Sequence, residues 1–249
     1  MYFHARDAAY YVTRPPRYQN DDQEHRNTDI RTQLPAMEAL THRGYVALRL
    51  GATAQEPLQT ANQRIIDYAS MARTDFLDIF LCAHCRLFVG DGDGLTSLVT
   101  AFRRPLVLVN YAPLEYLDRW NPYYLFLPKK LWLMSEHRFL TFREIIESGI
   151  GRFYQTSRYR QHGIEWMNNT PEEIMAVAIE MDERLNGTWR TTEEDEELQQ
   201  RFWGLFRHAD GAVKSHLADR WSKGLARPLG PILARIGAEF LRQNRELLE

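Results

Sequence analysis

Short apolar runs alternate with segments of helical periodicity over most of the chain. Four of these runs have the length and composition of buried strands: residues 2–5, 45–50, 87–89 and 106–109. Between the last two, Leu95, Leu98, Val99 and Phe102 recur at helical spacing. Strands that alternate with helices in this way predict an α/β fold, with an open, mostly parallel sheet flanked by helices.

The same patterning predicts the remaining elements. Helices are expected over about 28–42, 75–85, 142–148 and 171–185. The last of these has the strongest start signal, because Thr170 is a good N-cap, Pro171 fits the first helical position and Glu173 completes a capping box. Two shorter apolar segments, 65–69 and 163–167, are predicted as strands, the second as the last strand of the chain.

The chain changes character after residue 190. The acidic run 193–197 suits the N-terminus of a helix, and Gly230-Pro231 marks the start of a last amphipathic helix that carries Ile236 and Phe240. The sequence therefore predicts two units, a sheet domain over 1–190 and a helical C-terminal extension over 191–249.

A glycine-rich turn follows the predicted strand 87–89. Gly90, Gly92 and Gly94 lie within five residues, so the backbone can turn sharply and approach a ligand closely. A helix begins directly after the turn, and a helix N-terminus attracts anions. The alternative interpretation is an ordinary strand–helix–strand unit with a flexible turn.

Polar residues follow several of the predicted strands, at the edge of the sheet where open α/β folds bind ligands. They are Arg6 and Asp7, Arg49, Asp91 to Gly94, and Asn110, with Arg26 and Asn27 at the start of the first long helix. Arginines beside a helix N-terminus suit a diphosphate, because guanidinium groups form bidentate, charge-assisted bonds. The alternative is that Arg6 and Arg26 form surface ion pairs with Asp7 and Asp29.

Composition narrows the range of functions. The 249 residues carry a formal net charge of −2, which gives no reason to expect nucleic acid as a partner. No apolar run reaches 18 residues, so we expect no transmembrane segment and a cytoplasmic location. Cys82 and Cys85 form a single CxxC within an apolar segment, which favours buried, reduced thiols over a redox or zinc site.

The two carboxylates of the glycine turn raise the question of a metal. Asp91 and Asp93 lack the register of a calcium-binding loop. A divalent cation held between these carboxylates and a bound diphosphate remains open. The chain contains no Walker lysine motif and no G-x-S-x-G elbow, which argues against a P-loop enzyme or a serine hydrolase.

Several short motifs together carry a family likeness. They are Arg6-Asp7, His25-Arg26-Asn27-x-Asp29, Val46-x-Leu48-Arg49-Leu50-Gly51, Ile66-Asp67-Tyr68-Ala69, Cys85-Arg86-x-Phe88-x-Gly90, Ala101-Phe102-x-x-Pro105, Asn110-x-x-Pro113, Leu127-Pro128-Lys129-Lys130, Asn169-Thr170-Pro171-Glu172-Glu173-Ile174 and Arg235-Ile236-Gly237-x-x-Phe240-Leu241. With these motifs, nearly the whole chain resembles a group of bacterial glycosyltransferases of surface-polysaccharide synthesis.

The resemblance implies a Rossmann-like fold, the C-terminal, nucleotide-sugar-binding half of a GT-B glycosyltransferase. It implies that the donor's diphosphate rests on the turn and helix start at 90–97, and that the base and ribose lie near Arg49 and Asp67. The expected substrate-binding residues are Arg26, Asn27, Arg49, Asp67, Gly90, Asp91, Gly92, Asp93, Gly94, Leu95, Thr96 and Asn110.

Two departures from the family pattern bear on this expectation. Asp93 stands where the family usually carries Ser, and a carboxylate repels a diphosphate unless it points away, is protonated or shares a cation. GT-B enzymes also close a cleft between two α/β domains, whereas only one is predicted here. The acceptor domain would have to precede Met1 or come from another chain or copy. Arg6 and Asp7 are therefore the nearest candidates for catalytic residues.

The sequence thus predicts a glycosyltransferase, or its donor-binding half, that transfers sugar from a nucleoside diphosphate to a hydroxyl of a glycan or lipid-linked acceptor. No cofactor is expected besides the donor and, as one option, a divalent cation. The alternative is a non-catalytic nucleotide-sugar-binding or scaffolding subunit of a surface-glycan assembly, with segment 120–127 and the tail as contact surfaces. A truncated copy that lacks the acceptor domain is one form of this alternative. Other nucleotide- or phosphate-dependent enzymes of similar fold form a third group.

Overall fold

The computed structural model describes residues 1–12, 22–71, 73–117, 119–206 and 232–249. The strands are β1 (Tyr2–His4), β2 (Ala47–Arg49), β3 (Ile65–Ile66), β4 (Phe88–Gly90), β5 (Leu106–Tyr111), β6 (Tyr124–Pro128), β7 (Lys130–Leu133), β8 (Arg138–Phe139), β9 (Ile164–Met167) and β10 (Arg235–Ile236). The α-helices are α1 (Ala9–Val12), α2 (Leu34–His42), α3 (Tyr68–Met71), α4 (Asp75–His84), α5 (Gly94–Ala101), α6 (Phe142–Glu147), α7 (Thr156–Gln161), α8 (Pro171–Asn186), α9 (Glu193–Gly204) and α10 (Ala238–Gln243). Short 3₁₀ helices cover Glu24–Arg26, Ile30–Gln33, Leu114–Tyr116, Ile150–Arg152 and Arg245–Leu248.

Seven parallel strands form the central sheet in the order β3-β2-β1-β4-β5-β6-β10. The first six follow the strand order of doubly wound dinucleotide-binding folds, and β10 adds a seventh strand at one edge. β4, β6 and all of β5 except Tyr111 are fully buried, as parallel strands covered by helices on both faces must be. The predicted α/β, Rossmann-like fold is confirmed.

A second, three-stranded sheet in the order β8-β7-β9 was not predicted. β9 pairs antiparallel with β7, with Trp166 opposite Leu131 and Ile164 opposite Leu133. Segment 163–167 is therefore a strand, as predicted, but it belongs to this small sheet and is not the last strand of the chain. Its apolar pattern reports burial on one side and does not distinguish between the two sheets.

The tail departs from the predicted helix at its centre. Arg235 pairs with Leu125 and Ile236 with Phe126, so this segment is a strand of the main sheet, and the helix begins only at Ala238. The predicted start at Gly230-Pro231 lies outside the described residues. α9 begins at Glu193 as expected, with a capping box between Thr192 and Asp195. The proposed domain boundary at residue 190 stays a prediction.

The aromatic segment 120–127 is not a surface along its whole length. Trp120 and Tyr123 are exposed, but residues 124–127 form most of β6 and are buried in the sheet. The expectation of a contact surface over 120–127 is therefore wrong for its second half. The sequences of buried parallel strands are continuous apolar runs, because helices cover both faces of the sheet. An aromatic-rich run of this kind is therefore a buried strand here and not an exposed contact surface. No helix in the described part of the chain is both long and apolar enough to cross a bilayer.

Candidate functional site

The order of the sheet strands reverses between β1 and β4, and the candidate site lies beyond the carboxyl ends of these two strands. His4 is paired with Gly90 at the last position of the ladder. The chain leaves β1 through Ala5 and Arg6, and it leaves β4 through the turn that precedes α5. A crevice of this kind is where open α/β sheets bind their ligands.

The glycines of the turn have different roles. A Cβ on Gly90 would lie 2.9 Å from the His4 carbonyl oxygen, and one on Gly92 would lie 2.9 Å from the Tyr111 ring. These two glycines are therefore required by packing within the protein. A Cβ on Gly94 would meet nothing within 4 Å, so only Gly94 presents its backbone to open space. None of the three has a positive φ.

Asp93 occupies much of the helix N-terminus that was expected to hold a phosphate. Its Oδ1 accepts the Thr96 N–H at 3.1 Å. Its Oδ2 lies 2.5 Å from His4 Nδ1. An amide group that was predicted to bind an anion thus binds the protein's own carboxylate, which the apolar pattern of the sequence could not show.

His4 and Asp93 form a buried ion pair. Burial lowers the pKa of His4, but the neighbouring Asp93 carboxylate more than compensates and leaves that pKa above its ordinary value. Burial likewise raises the pKa of Asp93, and the His4 imidazolium reverses this so that the pKa is lowered overall. Both shifts favour the charged forms of the two groups, and the pair cancels its own charge at the helix N-terminus.

Asp91 is buried on the opposite side of the turn. Its Oδ2 accepts the Arg6 backbone N–H at 2.8 Å and also the Thr28 hydroxyl, which ties the ends of β1 and β4 together. Within the described structure, its Oδ1 has no hydrogen-bond partner. Burial raises the pKa of Asp91 to about 6, although Thr28, Arg6 and Lys129 favour the charged form.

Arg6 and Arg26 come together beside the turn, as the sequence predicted they could. The Arg6 guanidinium donates to the Gln23 carbonyl at 2.6 Å. Arg26 donates to the Gly92 carbonyl, to the Gln23 side chain and, at 3.2 Å, to the Tyr154 hydroxyl. Both arginines line a cavity of about 560 Å³ whose wall includes residues 92–94 and 96–97.

Lys129 belongs to the same group of charges and was not singled out from the sequence as a site residue. It is 3% exposed, and its Nζ donates to Asn168 Oδ1 at 2.6 Å. Burial, with the nearby Arg6 and Arg26, lowers its pKa to about 8 against the opposing effect of Asp91. Lys129 directly follows β6, so the rule that placed Arg6 at a strand end could have found it.

His25 lies next to these cations and stays neutral. Its Nδ1 is 2.9 Å from the Thr156 hydroxyl, and its ring packs against Tyr159. Burial lowers its pKa to about 3, with further contributions from Lys129, Arg26 and Arg6. Among Arg6, Arg26, Lys129 and Asp91, three positive charges therefore face one carboxylate that ionises reluctantly, and this excess favours an anion.

Arg49 and Asp67 lie apart from this group. They approach each other to 3.4 Å, while Arg49 donates to the Glu56 carbonyl at 2.7 Å and Asp67 accepts the Leu58 N–H at 2.8 Å. Arg49 lines a separate cavity of about 280 Å³ together with Asn27, and Arg6 is the cation that borders both cavities. Arg6 and Arg49 thus share the smaller cavity, whereas Arg26 lines the larger one.

Asp7 and Asn110 have structural partners. The two oxygens of Asp7 accept the backbone N–H groups of Ala9 at 2.9 Å and Gln55 at 2.7 Å, which joins the loop after β2 to the start of α1. Asn110, with φ of 53°, exchanges two hydrogen bonds of 2.6 Å with Asn169. Their predicted roles toward a substrate stay predictions.

The cysteines and carboxylates do not form a second reactive centre in the described residues. Burial raises the pKa of Cys82 to about 12 and raises that of Cys85 as well, so both thiols stay protonated at neutral pH. In the described ranges, no three His, Cys, Asp or Glu side chains are arranged to hold a metal ion. Asp91 and Asp93 point to different partners and do not converge.

The fold and the crevice define a doubly wound α/β protein with a cationic cavity at its topological switch point. Comparison with known proteins adds no name to this class. No family model matches the chain, and neither curated proteins nor solved structures give a significant match.

Proposed function

We propose that this chain binds a nucleoside diphosphate sugar in the crevice between the carboxyl ends of β1 and β4, as the donor-binding half of a glycosyltransferase. The observation that carries the proposal is the cavity of about 560 Å³ that Arg6 and Arg26 line beside the exposed Gly94. A diphosphate needs charge-assisted donors, and two guanidinium groups supply them in a fixed geometry. The likeness of the sequence motifs to surface-polysaccharide glycosyltransferases supports the sugar donor.

The cations would also serve the transfer step. When the glycosyl group passes to an acceptor hydroxyl, negative charge develops on the departing diphosphate, and positioned cations stabilise it. Arg6 and Arg26 border the cavity directly, and Lys129 adds positive charge that acts on Asp91. We assign the acceptor to a glycan or lipid-linked hydroxyl and the place of action to the cytoplasm, both as parts of the proposal.

Donor binding without catalysis is the second candidate. Asp7, the expected catalytic carboxylate, already accepts two backbone N–H groups, and Asp93 is paired with His4. A general base needs an oxygen within reach of the acceptor hydroxyl. These contacts favour a subunit that holds the nucleotide sugar while another domain or chain supplies the base.

Calorimetric titration of the full chain with uridine, guanosine, adenosine and cytidine nucleotides, and with their sugar derivatives, tests the proposal. We expect micromolar binding of one nucleoside diphosphate. Arg26→Ala and Arg6→Lys should weaken it at least tenfold, because each removes a bidentate donor. Arg143→Ala is the matched control, since Arg143 is exposed and pairs only weakly with Glu147, at 3.5 Å.

The outcomes separate the candidates. Release of free sugar or formation of a glycoside from the bound donor supports the enzyme, whereas binding without turnover supports the donor-binding subunit. If no nucleotide binds to a chain with a native circular dichroism spectrum, both candidates fail. Equal loss of binding in Arg143→Ala would show that the effect is not specific to the cavity.

A further inference from the structure

A third cavity borders the cavity of the proposed function at the start of α5. Its volume is about 360 Å³, which is in the size range of small-molecule sites. Arg6, Asp93 and Gly94 line both cavities. The rest of the third cavity's wall comes from α1, from the loop after β2 and from the beginning of α4. The two cavities therefore adjoin at the point where the diphosphate is proposed to lie.

The wall of the third cavity contains a buried carboxylate oxygen without a partner. Asp78 lines this cavity and is 6% exposed. Its Oδ2 accepts from Arg73, with Nε at 2.9 Å and Nη2 at 2.8 Å. Among the described residues, its Oδ1 has no hydrogen-bond partner. Because buried polar atoms of native proteins are almost always satisfied, this oxygen favours a ligand that brings a hydrogen-bond donor.

The third cavity differs from the larger one in its balance of charge. Its wall contains three acidic and three basic side chains, which are Asp7, Asp78, Asp93, His4, Arg6 and Arg73. His4 is paired with Asp93 and Arg73 with Asp78, and the two oxygens of Asp7 accept backbone N–H groups. A balanced wall does not favour a second anion. It suits a neutral group rich in hydroxyls, because each hydroxyl both donates and accepts.

We propose that the third cavity holds the sugar of the nucleoside diphosphate sugar, and that this sugar is uncharged and donates a hydroxyl hydrogen bond to Asp78 Oδ1. This inference rests on the proposed function, because it takes the diphosphate to lie beside Gly94 and Arg6. A diphosphate joins the nucleoside and the sugar, so the two groups extend from it in different directions. The two cavities that share Gly94 provide these two directions.

The walls decide which group enters which cavity. The larger cavity is lined by the rings of Tyr111 and Tyr154 and by Leu108, and aromatic rings stack well on a flat nucleobase. The third cavity offers the carboxylate of Asp78, which forms strong hydrogen bonds with hydroxyl donors. The nucleoside then lies away from Arg49, which differs from the position that the family resemblance implied.

The same oxygen gives a preference among sugars. Asp78 Oδ1 accepts a hydroxyl hydrogen bond, but it repels the carboxylate of a uronic acid. A neutral hexose donor should therefore bind at least tenfold more tightly than the uronate donor of the same nucleoside. This preference can be measured without knowledge of the acceptor.

Calorimetric titration of the full chain compares three ligands: the nucleoside diphosphate that binds, its neutral hexose derivative and its uronate derivative. Asp78→Asn keeps an oxygen for Arg73 and places an NH₂ group where Oδ1 was, so the acceptor for the sugar is lost. We expect it to weaken hexose-donor binding at least tenfold and to change nucleoside diphosphate binding less than about threefold. Asp75→Asn is the matched control, because Asp75 pairs with the same arginine at 2.7 Å but its side chain is 90% exposed.

Thr53→Trp tests the space in the cavity instead of its charge. Thr53 lines the cavity from the loop after β2, outside the buried core. The larger side chain should exclude the sugar and weaken hexose-donor binding at least tenfold, again without a comparable loss for the nucleoside diphosphate. Circular dichroism and thermal melts of all variants check that they fold as the wild type does.

The results separate this inference from the function on which it rests. If the nucleoside diphosphate and its sugar both bind, but Asp78→Asn and Thr53→Trp leave the ratio of their affinities unchanged, only the sugar site is overturned. The same holds if Asp78→Asn weakens both ligands equally, or if the uronate donor binds as tightly as the hexose donor. If no nucleotide binds to the folded chain, the proposed function fails and this inference fails with it.

Discussion

The turns that lead into helices α5 and α8 both cap a helix N-terminus, but they use side chains of different chemistry. Before α8, the neutral side chains of Asn169 and Thr170 satisfy the backbone, and Asn169 is locked to Asn110 by two hydrogen bonds of 2.6 Å. Before α5, two carboxylates do so: Asp91 accepts the Arg6 N–H, and Asp93 accepts the Thr96 N–H while it also pairs with His4. Both helices are capped, but only the cap at the crevice shares its carboxylate with a histidine of another strand.

This difference determines which groups a ligand meets at the start of each helix. The capping box of α8 is closed within four residues, between Thr170 and Glu173. The cap of α5 shares its carboxylate with a histidine 89 positions away and lies beside an open cavity, because Asp93 lines that cavity. A phosphate that approaches α5 must therefore meet Asp93, and the arginines must offset that repulsion.

The largest expected effect concerns Asp91. Its pKa of about 6 in the folded protein, against 3.8 ordinarily, means that the native state binds this proton more tightly than the unfolded state. The free energy of unfolding should therefore fall as pH rises from about 3 to about 7, by about 3 kcal/mol from this group. In Asp91→Asn this contribution should vanish, which urea unfolding at both pH values would reveal.

Glu165→Gln serves as the control for Asp91→Asn, because it removes one exposed carboxylate from β9. It should keep the pH dependence of the wild type. If Asp91→Asn retained the same dependence, then Asp91 would be ionised in the folded protein without penalty, and the excess of positive charge around it would be smaller than we infer. Asp91→Asn should also bind a diphosphate more tightly, since one repulsive charge is gone.

Local signals explain why the fold could be predicted. The runs at 87–89 and 106–109 and the capping box at Thr170 carry their structure in adjacent residues, and each forms the predicted element within a residue or two. The strand at Arg235–Ile236 has no such signal. It is a strand because Leu125 and Phe126 of β6 offer their edge, and a two-residue segment cannot indicate that by its own periodicity.

The sequence predicted where the site lies in the fold, but it did not predict which side chains pair with one another there. Strand ends located Arg6 and Asp91 near the same crevice, because parallel strands end at one edge, and the start of the first long helix was expected to add Arg26. The partners were beyond reach of the sequence, since the pairing of Asp93 with His4 depends on the register between β1 and β4. Ion pairs over long sequence separations follow from the packed fold, whereas caps follow from neighbours.

The next effect in size compares the two caps directly. Asp93→Asn keeps an oxygen for the Thr96 N–H but removes the ion pair with His4, and should cost about 2 kcal/mol near pH 6. The raised pKa of His4 means that this stabilisation is fully present below its ordinary pKa of 6.5 and is lost as pH rises through the folded value. The cost of Asp93→Asn should therefore shrink in alkaline solution.

Thr170→Ala provides the contrast in α8. It removes a neutral cap and should cost about 1 kcal/mol at both pH values, because a hydroxyl does not titrate. Chemical denaturation of both variants near pH 6 and near pH 9 measures the two costs. An Asp93→Asn penalty as constant as that of Thr170→Ala would mean that His4 is not charged in the folded protein.

The smallest effect on stability, and the sharpest on function, is expected at Gly94. α8 has Pro171 at its first helical position and α5 has Gly94 there, with open space where a Cβ would stand. Gly94→Ala should change the free energy of unfolding by less than about 1 kcal/mol, since alanine is the better helix former. Gly90→Ala should cost more, because its Cβ would lie 2.9 Å from the His4 carbonyl oxygen.

For nucleoside diphosphate binding we expect the opposite order, with the larger effect at Gly94. A methyl group on residue 94 would project into the space where the proposed diphosphate approaches the arginines, so Gly94→Ala should weaken nucleoside diphosphate binding at least tenfold while the thermal midpoint stays near that of wild type. Titration with inorganic pyrophosphate then tells whether the loss lies in the phosphates themselves. A Gly94→Ala chain that binds the nucleotide as tightly as wild type would mean that the diphosphate does not approach the start of α5, and that Arg6 and Arg26 hold it further along the cavity.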